Sequence, residues 1–97
     1  MVVFGSPALV AAIIRDKRIL VLQYSAYHPA VDQRYVLPGG RPKKRESLDA
    51  ALIREVKEET DLGIQVLRLV HLDLFKNKAN GKIRPIGFFE CSLIDYK

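Results

Sequence analysis

The sequence predicts an α+β domain in which several β-strands share one core with a single helix. Three observations carry that prediction: short apolar runs bounded by turn residues toward both ends of the chain, one central stretch of strong helix formers, and an Asn-Gly pair joining two longer apolar runs. At 97 residues, 48% of them hydrophobic, the chain has material for one compact core and too little for two. Residues 1–97 are therefore read as a single domain.

Residues 8–14, ALVAAII, and 19–24, ILVLQY, are apolar runs separated by Arg15-Asp16-Lys17-Arg18, the pattern of a hairpin of largely buried strands. Residues 25–34 read as a polar, Pro-containing loop, and a brief extended segment, RYVL, leads into Pro38-Gly39-Gly40. The two glycines allow backbone conformations that other residues resist. Residues 47–60 carry helix formers throughout, with Ser47 as N-cap and Asp49 in the first turn, where the helix dipole favours an anion. Beyond the helix, IQVLRLVHLDLF and IGFFECSLI read as two longer strands joined by KNKANGKIRP, whose Asn80-Gly81 is a hairpin-turn signal. No repeat, low-complexity tract or dividing linker interrupts this order.

Composition narrows the function classes. A single cysteine, Cys91, excludes an intrachain disulfide framework and a cysteine-rich zinc site, and it is read as a small buried hydrophobe in a reducing, cytoplasmic setting. The apolar N-terminus is interrupted by Gly5-Ser6-Pro7 and has no basic residues before it, which argues against a signal peptide or a membrane span. A formal charge of +5, from sixteen Lys and Arg against eleven Asp and Glu, favours acidic ligands such as phosphates, although solubility alone accounts for it equally well.

The helix poses the chemical question. At about 100° per residue, Leu48, Ala51 and Leu52 share one side, which should face the core, and that stripe runs on into Glu55, Glu58 and Glu59. Carboxylates there meet the negative end of the helix dipole, and Glu55 with Glu59 is an i, i+4 like-charge pair. Each effect costs a few tenths to about 1 kcal/mol, so the cluster calls for a compensating cation. A divalent metal of the magnesium type, which takes oxygen ligands, is one compensator. Arg54 and Lys57 are the other, in which case the helix end is a salt-bridged, solvated surface.

Gly40, five residues, Glu46, seven residues, Arg54-Glu55, aliphatic Val56, Lys57, Glu58-Glu59 resembles the signature of the Nudix hydrolases, the MutT-like family. Six fixed residue types at these spacings would arise by chance with odds on the order of one in a million. YVLPGG also resembles the strand and turn that lead into the family's motif, and the likeness covers nearly the whole chain. It implies a mixed β-sheet packed against the motif helix. Two features depart from the pattern. Asp61 stands where the family has glycine, which bears on the helix stop. The family also continues beyond the strand matching IGFFECSLI into further strand structure and a helix that covers the second sheet face. With that helix missing from these 97 residues, one sheet face is expected to be bare, as for a partner, a homodimer or a cut chain.

The resemblance implies a magnesium- or manganese-dependent hydrolase that cleaves the pyrophosphate bond of a nucleoside diphosphate linked to another group, such as ADP-ribose, a nucleoside triphosphate or a dinucleoside polyphosphate. It assigns Glu58 and Glu59 as the principal metal ligands, with the backbone carbonyl of Gly39 as a further one. Glu55 is the metal ligand or general base, and Arg54 orients the glutamates. Glu46 is a secondary ligand or loop support, and Gly40 lets loop and helix approach closely. Arg41 and Lys43 are candidate substrate-phosphate contacts, although solvation of an exposed loop is the simpler reading. The basic residues Lys76, Lys78, Lys82 and Arg84 invite the same two readings.

Other features carry less. Gly39-Gly40 followed by Lys43 and Lys44 lacks the Gly-Lys-Ser/Thr ending of a phosphate-binding loop. His28 and His71 have no second nitrogen or sulfur ligand nearby and are read as surface or strand residues. Tyr24, Tyr27, Phe75 and Phe88 could stack on a nucleobase but are read mostly as core, and Glu90 is read as an ordinary strand glutamate unless its strand face turns toward Glu59. Two rivals to the hydrolase remain: a catalytically weak nucleotide-binding module on the same fold, and a basic nucleic-acid-binding protein, for which charge alone speaks.

Overall fold

A computed structural model of the chain describes residues 5–23 and 35–95. The readings made for residues 25–34, and for Tyr24, Tyr27 and His28, lie outside these. In chain order the elements are β1 (Ala8–Arg15), β2 (Arg18–Ile19), β3 (Leu22–Gln23), β4 (Tyr35–Val36), β5 (Gly39–Gly40), α1 (Leu48–Thr60), β6 (Gly63–Lys76) and β7 (Ile83–Asp95). The main sheet runs β2-β1-β7-β6, with β5 also paired to β1. β1 and β7 are parallel while the other pairings are antiparallel, so the sheet is mixed, and α1 packs on it.

Strand alternation decides which residues meet the helix. On β1, Leu9, Ala11 and Ile13 point inward, opposite Gly87, Phe89 and Cys91 of β7. Leu9, Ala11, Ile13 and Cys91, with Ile64 of β6 and Ala51, Leu52 and Val56 of α1, form the buried core, Cys91 among them as expected, and Phe89 packs against it. Burying each large aliphatic side chain contributes roughly 1.5–3 kcal/mol, and this anchors the helix on the sheet. Burial also pushes the Cys91 thiol up to about 11, with Asp49 and Glu90 adding to the effect, so it is an inert packing group.

Several expectations need correcting. The run ILVLQY is two short strands, since β2 pairs with β1 while β3 pairs with β4 in a separate two-stranded sheet. Gly39 and Gly40 do not adopt a left-handed conformation; they form β5, and among the described glycines a positive φ belongs to Gly81. Leu48 is 46% exposed, because the buried stripe of the helix is centred on Ala51, Leu52 and Val56. Phe75 is 62% exposed, because it lies opposite Arg84 on the sheet face away from α1. Among the described residues no second helix lies on the opposite sheet face, where Val10, Ala12 and Phe88 are half-buried and Ile14 is exposed.

The ends of α1 follow the sequence closely. Ser47 Oγ accepts a hydrogen bond from the Ala50 amide at 3.1 Å, and Asp49 occupies the first turn. At the other end Asp61 is left-handed (φ 61°, ψ 18°) and its amide reaches the Lys57 carbonyl, so aspartate fills the helix-stop position that glycine would take.

Candidate active site: three carboxylates around one arginine

β5 is held against β1 with Leu9 opposite Gly40 and Val10 opposite Gly39, which brings the glycine pair alongside the C-terminal half of α1. The reason for glycine here is space. A Cβ on Gly39 would collide with the Leu9 carbonyl oxygen, and a Cβ on Gly40 would collide with Glu55 Cδ and lie 2.6 Å from Glu55 Oε2. The Gly39 amide donates to Glu59 Oε1 at 3.0 Å, a second tie between this strand and the helix.

Arg54 is the hub of the cluster. Its Nε and Nη2 donate to Glu46 Oε2 and Oε1 at 2.8 and 2.9 Å, a two-pronged pair with both side chains about four-fifths buried. Its Nη1 donates to Glu55 Oε1 at 2.9 Å and more weakly to the Glu58 carboxylate at 3.3 and 3.4 Å. Nη2 also reaches the Arg41 carbonyl at 3.1 Å, which fixes the loop between β5 and α1 to the helix. Glu46 accepts from the Lys43 amide as well, at 2.8 Å. The Arg54 guanidinium and the Lys43 amide lower the Glu46 carboxyl from 4.5 to about 2, and the carboxylates in turn hold the arginine proton more tightly than usual.

Of the two cations weighed from the sequence, Arg54 bonds Glu55 and Glu58 directly, and the Lys57 ammonium group pairs with Asp61 at the helix end. Glu58 is the most exposed partner of Arg54, its side chain 55% accessible. Glu59 is different again: partial desolvation, with the charges of Glu55 and Glu58 beside it, raises its carboxyl above 4.5 despite the Gly39 hydrogen bond. The structure thus brings Gly39, Gly40, Glu46, Arg54, Glu55, Glu58 and Glu59 together. The side chains of Arg41 and Lys43 stand exposed on the adjoining loop. Glu90 is on the other side of the sheet, paired with Arg68 at 2.7 Å, and His71 of β6 lies beside its strand neighbour Asp73 and Phe88 of β7.

Among the described residues no three His, Cys, Asp or Glu side chains converge as a ready-made metal cage, because Arg54 draws Glu46, Glu55 and Glu58 toward itself. The donor chemistry nevertheless fits a hard cation: Glu55, Glu58 and Glu59 supply carboxylate oxygens from neighbouring helical turns. Glu59, whose ionisation the other two glutamates oppose, is a carboxylate that a cation would relieve. A larger open concavity of about 450 Å³ lies elsewhere, at the β1–β2 turn between Ile13, Arg15, Arg18 and Leu20, and includes none of these glutamates.

The main-chain members of the cluster were invisible in the sequence. The amides of Gly39 and Lys43 and the carbonyl of Arg41 carry no residue signal of their own. Only the glycine pair hinted that backbone would come close.

The NUDIX domain family model matches residues 5–91 of the chain. In sequence, none of the curated proteins matches. Among solved structures, the chain is similar to the E. coli ORF135 protein, at 25% identity with a TM-score of 0.76, covering 97% of this chain and 69% of that one. It is similar to an ADP-ribose pyrophosphatase from Streptococcus suis, at 29% identity and a TM-score of 0.72, covering 95% and 64%. A UDP-X diphosphatase gives 25% identity and a TM-score of 0.72, covering 97% of this chain and 45% of that one. The chain thus spans less than two thirds of the length of the latter two proteins.

Proposed function

Because the chain belongs to the Nudix family, we propose that it hydrolyses the pyrophosphate bond of a nucleoside diphosphate linked to a second group, with a magnesium-type ion held by Glu55, Glu58 and Glu59. Similarity to proteins named ADP-ribose pyrophosphatase and UDP-X diphosphatase supports a nucleotide-type substrate. The observation that carries the reading is the seating of Glu55 and Glu59 against the Gly39-Gly40 strand, which concentrates carboxylate oxygens at one point of an otherwise basic chain.

When bound, such an ion neutralises the diphosphate and lowers the pKa of the attacking water. The chain's own residues do the rest. Glu55 Oε1 is engaged by Arg54, so Oε2 is the oxygen left either to ligate the ion or to take the proton of the attacking water. Arg54 restrains Glu55 through that bond and is itself fixed by Glu46 and the Arg41 carbonyl. Glu58, loosely held and exposed, and Glu59 serve as metal ligands, with the Gly39 carbonyl as a further donor. Arg41 and Lys43, exposed on the loop above, meet the substrate phosphates.

The second reading is a catalytically weak nucleotide-binding module, favoured by the engagement of three of the carboxylates with Arg54. Incubating the chain with magnesium and a panel comprising ADP-ribose, nucleoside triphosphates and dinucleoside polyphosphates separates the two. Release of nucleotide from at least one compound, lost in Glu58→Gln by a factor of about 10² or more, is the expected result. Retained nucleotide binding without turnover on any compound selects the module.

A further inference from the structure

The tip of the β6–β7 hairpin carries a concentration of charge that the hydrolase reading does not use. Between residues 74 and 89 the cations are Lys76, Lys78, Lys82 and Arg84, with no Asp or Glu among them, against a net charge of +5 for the whole chain. A small cavity of about 70 Å³ opens there, lined by Gly5, Phe75, Asn77, Asn80, Lys82 and Arg84. Arg84 stands opposite Phe75 across the hairpin, and strand alternation from Cys91 places both on the sheet face away from α1.

The polar side chains lining this cavity, Asn77, Asn80, Lys82 and Arg84, all carry N–H donors. Asn77 Oδ1 already accepts from the Ala79 amide at 2.8 Å, and Asn80 Oδ1 from the Lys82 amide at 2.9 Å, which leaves each side chain its NH₂ group. Lys82 adds an ammonium group. Arg84 Nε is buried and, alone among the described buried side-chain polar atoms, lacks a hydrogen-bond partner. Arg84 lines the cavity, so an anion seated there would lie against a guanidinium whose Nε finds no acceptor among the described residues. The loop that presents these groups is closed by its own backbone, through Asn77 N to Lys82 O and Gly81 N to Asn77 O, both 2.8 Å, with Gly81 at φ 71°. The donors are therefore displayed from a formed turn.

We propose that this hairpin tip is a binding site for a phosphate-class oxyanion, seated between Arg84, Lys82 and the two asparagine amides. The cavity has room for one tetrahedral group. Phosphate on a free small molecule and the phosphodiester of a single-stranded nucleic acid share this chemistry, and exposed Phe75 offers a face on which a base could stack. The site is independent of the carboxylate cluster and of any metal held there.

The test is a titration of the intact chain with inorganic phosphate in the presence of EDTA, followed by ¹⁵N–¹H NMR. Saturable shifts confined to the Asn77, Asn80 and Lys82 signals and the Arg84 Nε–H are expected. Arg84→Gln should weaken phosphate binding by about tenfold or more, whereas Lys17→Gln, the same charge loss at the β1–β2 turn, should change it less than about twofold. Lys82→Gln, on the exposed loop, gives a second reading of the same loss should Arg84→Gln fail to fold. Unsaturable shifts spread over all basic residues, or equal weakening by Lys17→Gln, would overturn the site. A single-stranded oligonucleotide that displaces phosphate, with affinity falling steeply in salt, assigns the site to nucleic acid; one that does not compete assigns it to a free phosphate.

Discussion

Replacing each of the two adjacent glycines by alanine should produce two different failures. In Gly40→Ala the new Cβ collides with a side chain: Glu55 Cδ is in the way, Oε2 is 2.6 Å and Cγ 2.7 Å away, and ordinary contact begins at 3.4 Å. Glu55 must therefore retreat by about 1 Å, away from its place beside Arg54. A flexible side chain can do this through an off-rotamer adjustment of roughly 0.5–1.5 kcal/mol, which corresponds to about 4–8 °C in Tm for each kcal/mol in a chain of this size. Misplacing a reacting group by nearly 1 Å costs up to about 10²-fold in rate, so kcat/KM should fall about 10- to 100-fold in a protein that still folds. In Gly39→Ala the obstacle is the Leu9 carbonyl oxygen, with Leu9 C and Val10 Cα at 3.0 Å, and backbone cannot turn aside. The β5–β1 pairing must open, at a cost above about 4 kcal/mol. Thermal melts and kcat/KM on the best substrate of the panel measure both variants. A Gly40→Ala protein with wild-type turnover, or a Gly39→Ala protein with wild-type Tm, would refute the packing argument.

Arg54→Lys should reduce kcat/KM by more than about tenfold with little change in circular dichroism, because an ammonium cannot form the two-pronged pair with Glu46 and reach Glu55 at once. Glu46 has its folded-state pKa depressed from 4.5 to about 2, so the stability it contributes is present above 4.5 and is lost as pH falls from there toward 2; Glu46→Gln should flatten that part of a Tm-against-pH curve. Asp61→Gly should raise the urea midpoint by the equivalent of a few tenths to about 1 kcal/mol, because glycine adopts the left-handed stop without strain and the Lys57 pair it removes is exposed.

The parts of the fold that could be read from the sequence are those written by local periodicity. The helix, its Ser47 cap and the two long strands each follow from residues within a turn or two of one another. The splitting of ILVLQY into β2 and β3 is settled by partners more than ten residues away in β4, and no local pattern encodes it. Leu48 was assigned inward by spacing alone; which 100° of the helix meets the sheet depends on where β1, β6 and β7 lie. For the candidate site, spacing placed Glu55, Glu58 and Glu59 on neighbouring turns, while the link from Arg54 back to Glu46 crosses the N-cap and appears only in three dimensions.

That link also answers why a helix would end in like charge. The repulsion among Glu55, Glu58 and Glu59 is met in the folded chain by one guanidinium spread over three carboxylates, Glu46 included, so the helix end carries a counter-charge of its own. The compensation is uneven: Glu46 takes the two short bonds, Glu58 the long ones, and Glu59 none of those described, relying on the Gly39 amide instead. The carboxylates that hold the arginine best are thus the ones fit to position it, and those it holds least are the ones free to take up a cation. A divalent ion should therefore bind without displacing the Arg54–Glu46 pair. The Arg54 Nε–H resonance of the protein should accordingly stay in place as magnesium is added, while the Gly39 amide, bonded to Glu59, shifts. Movement of the arginine signal in step with the glycine would show that the two halves of the cluster do not divide the work in this way.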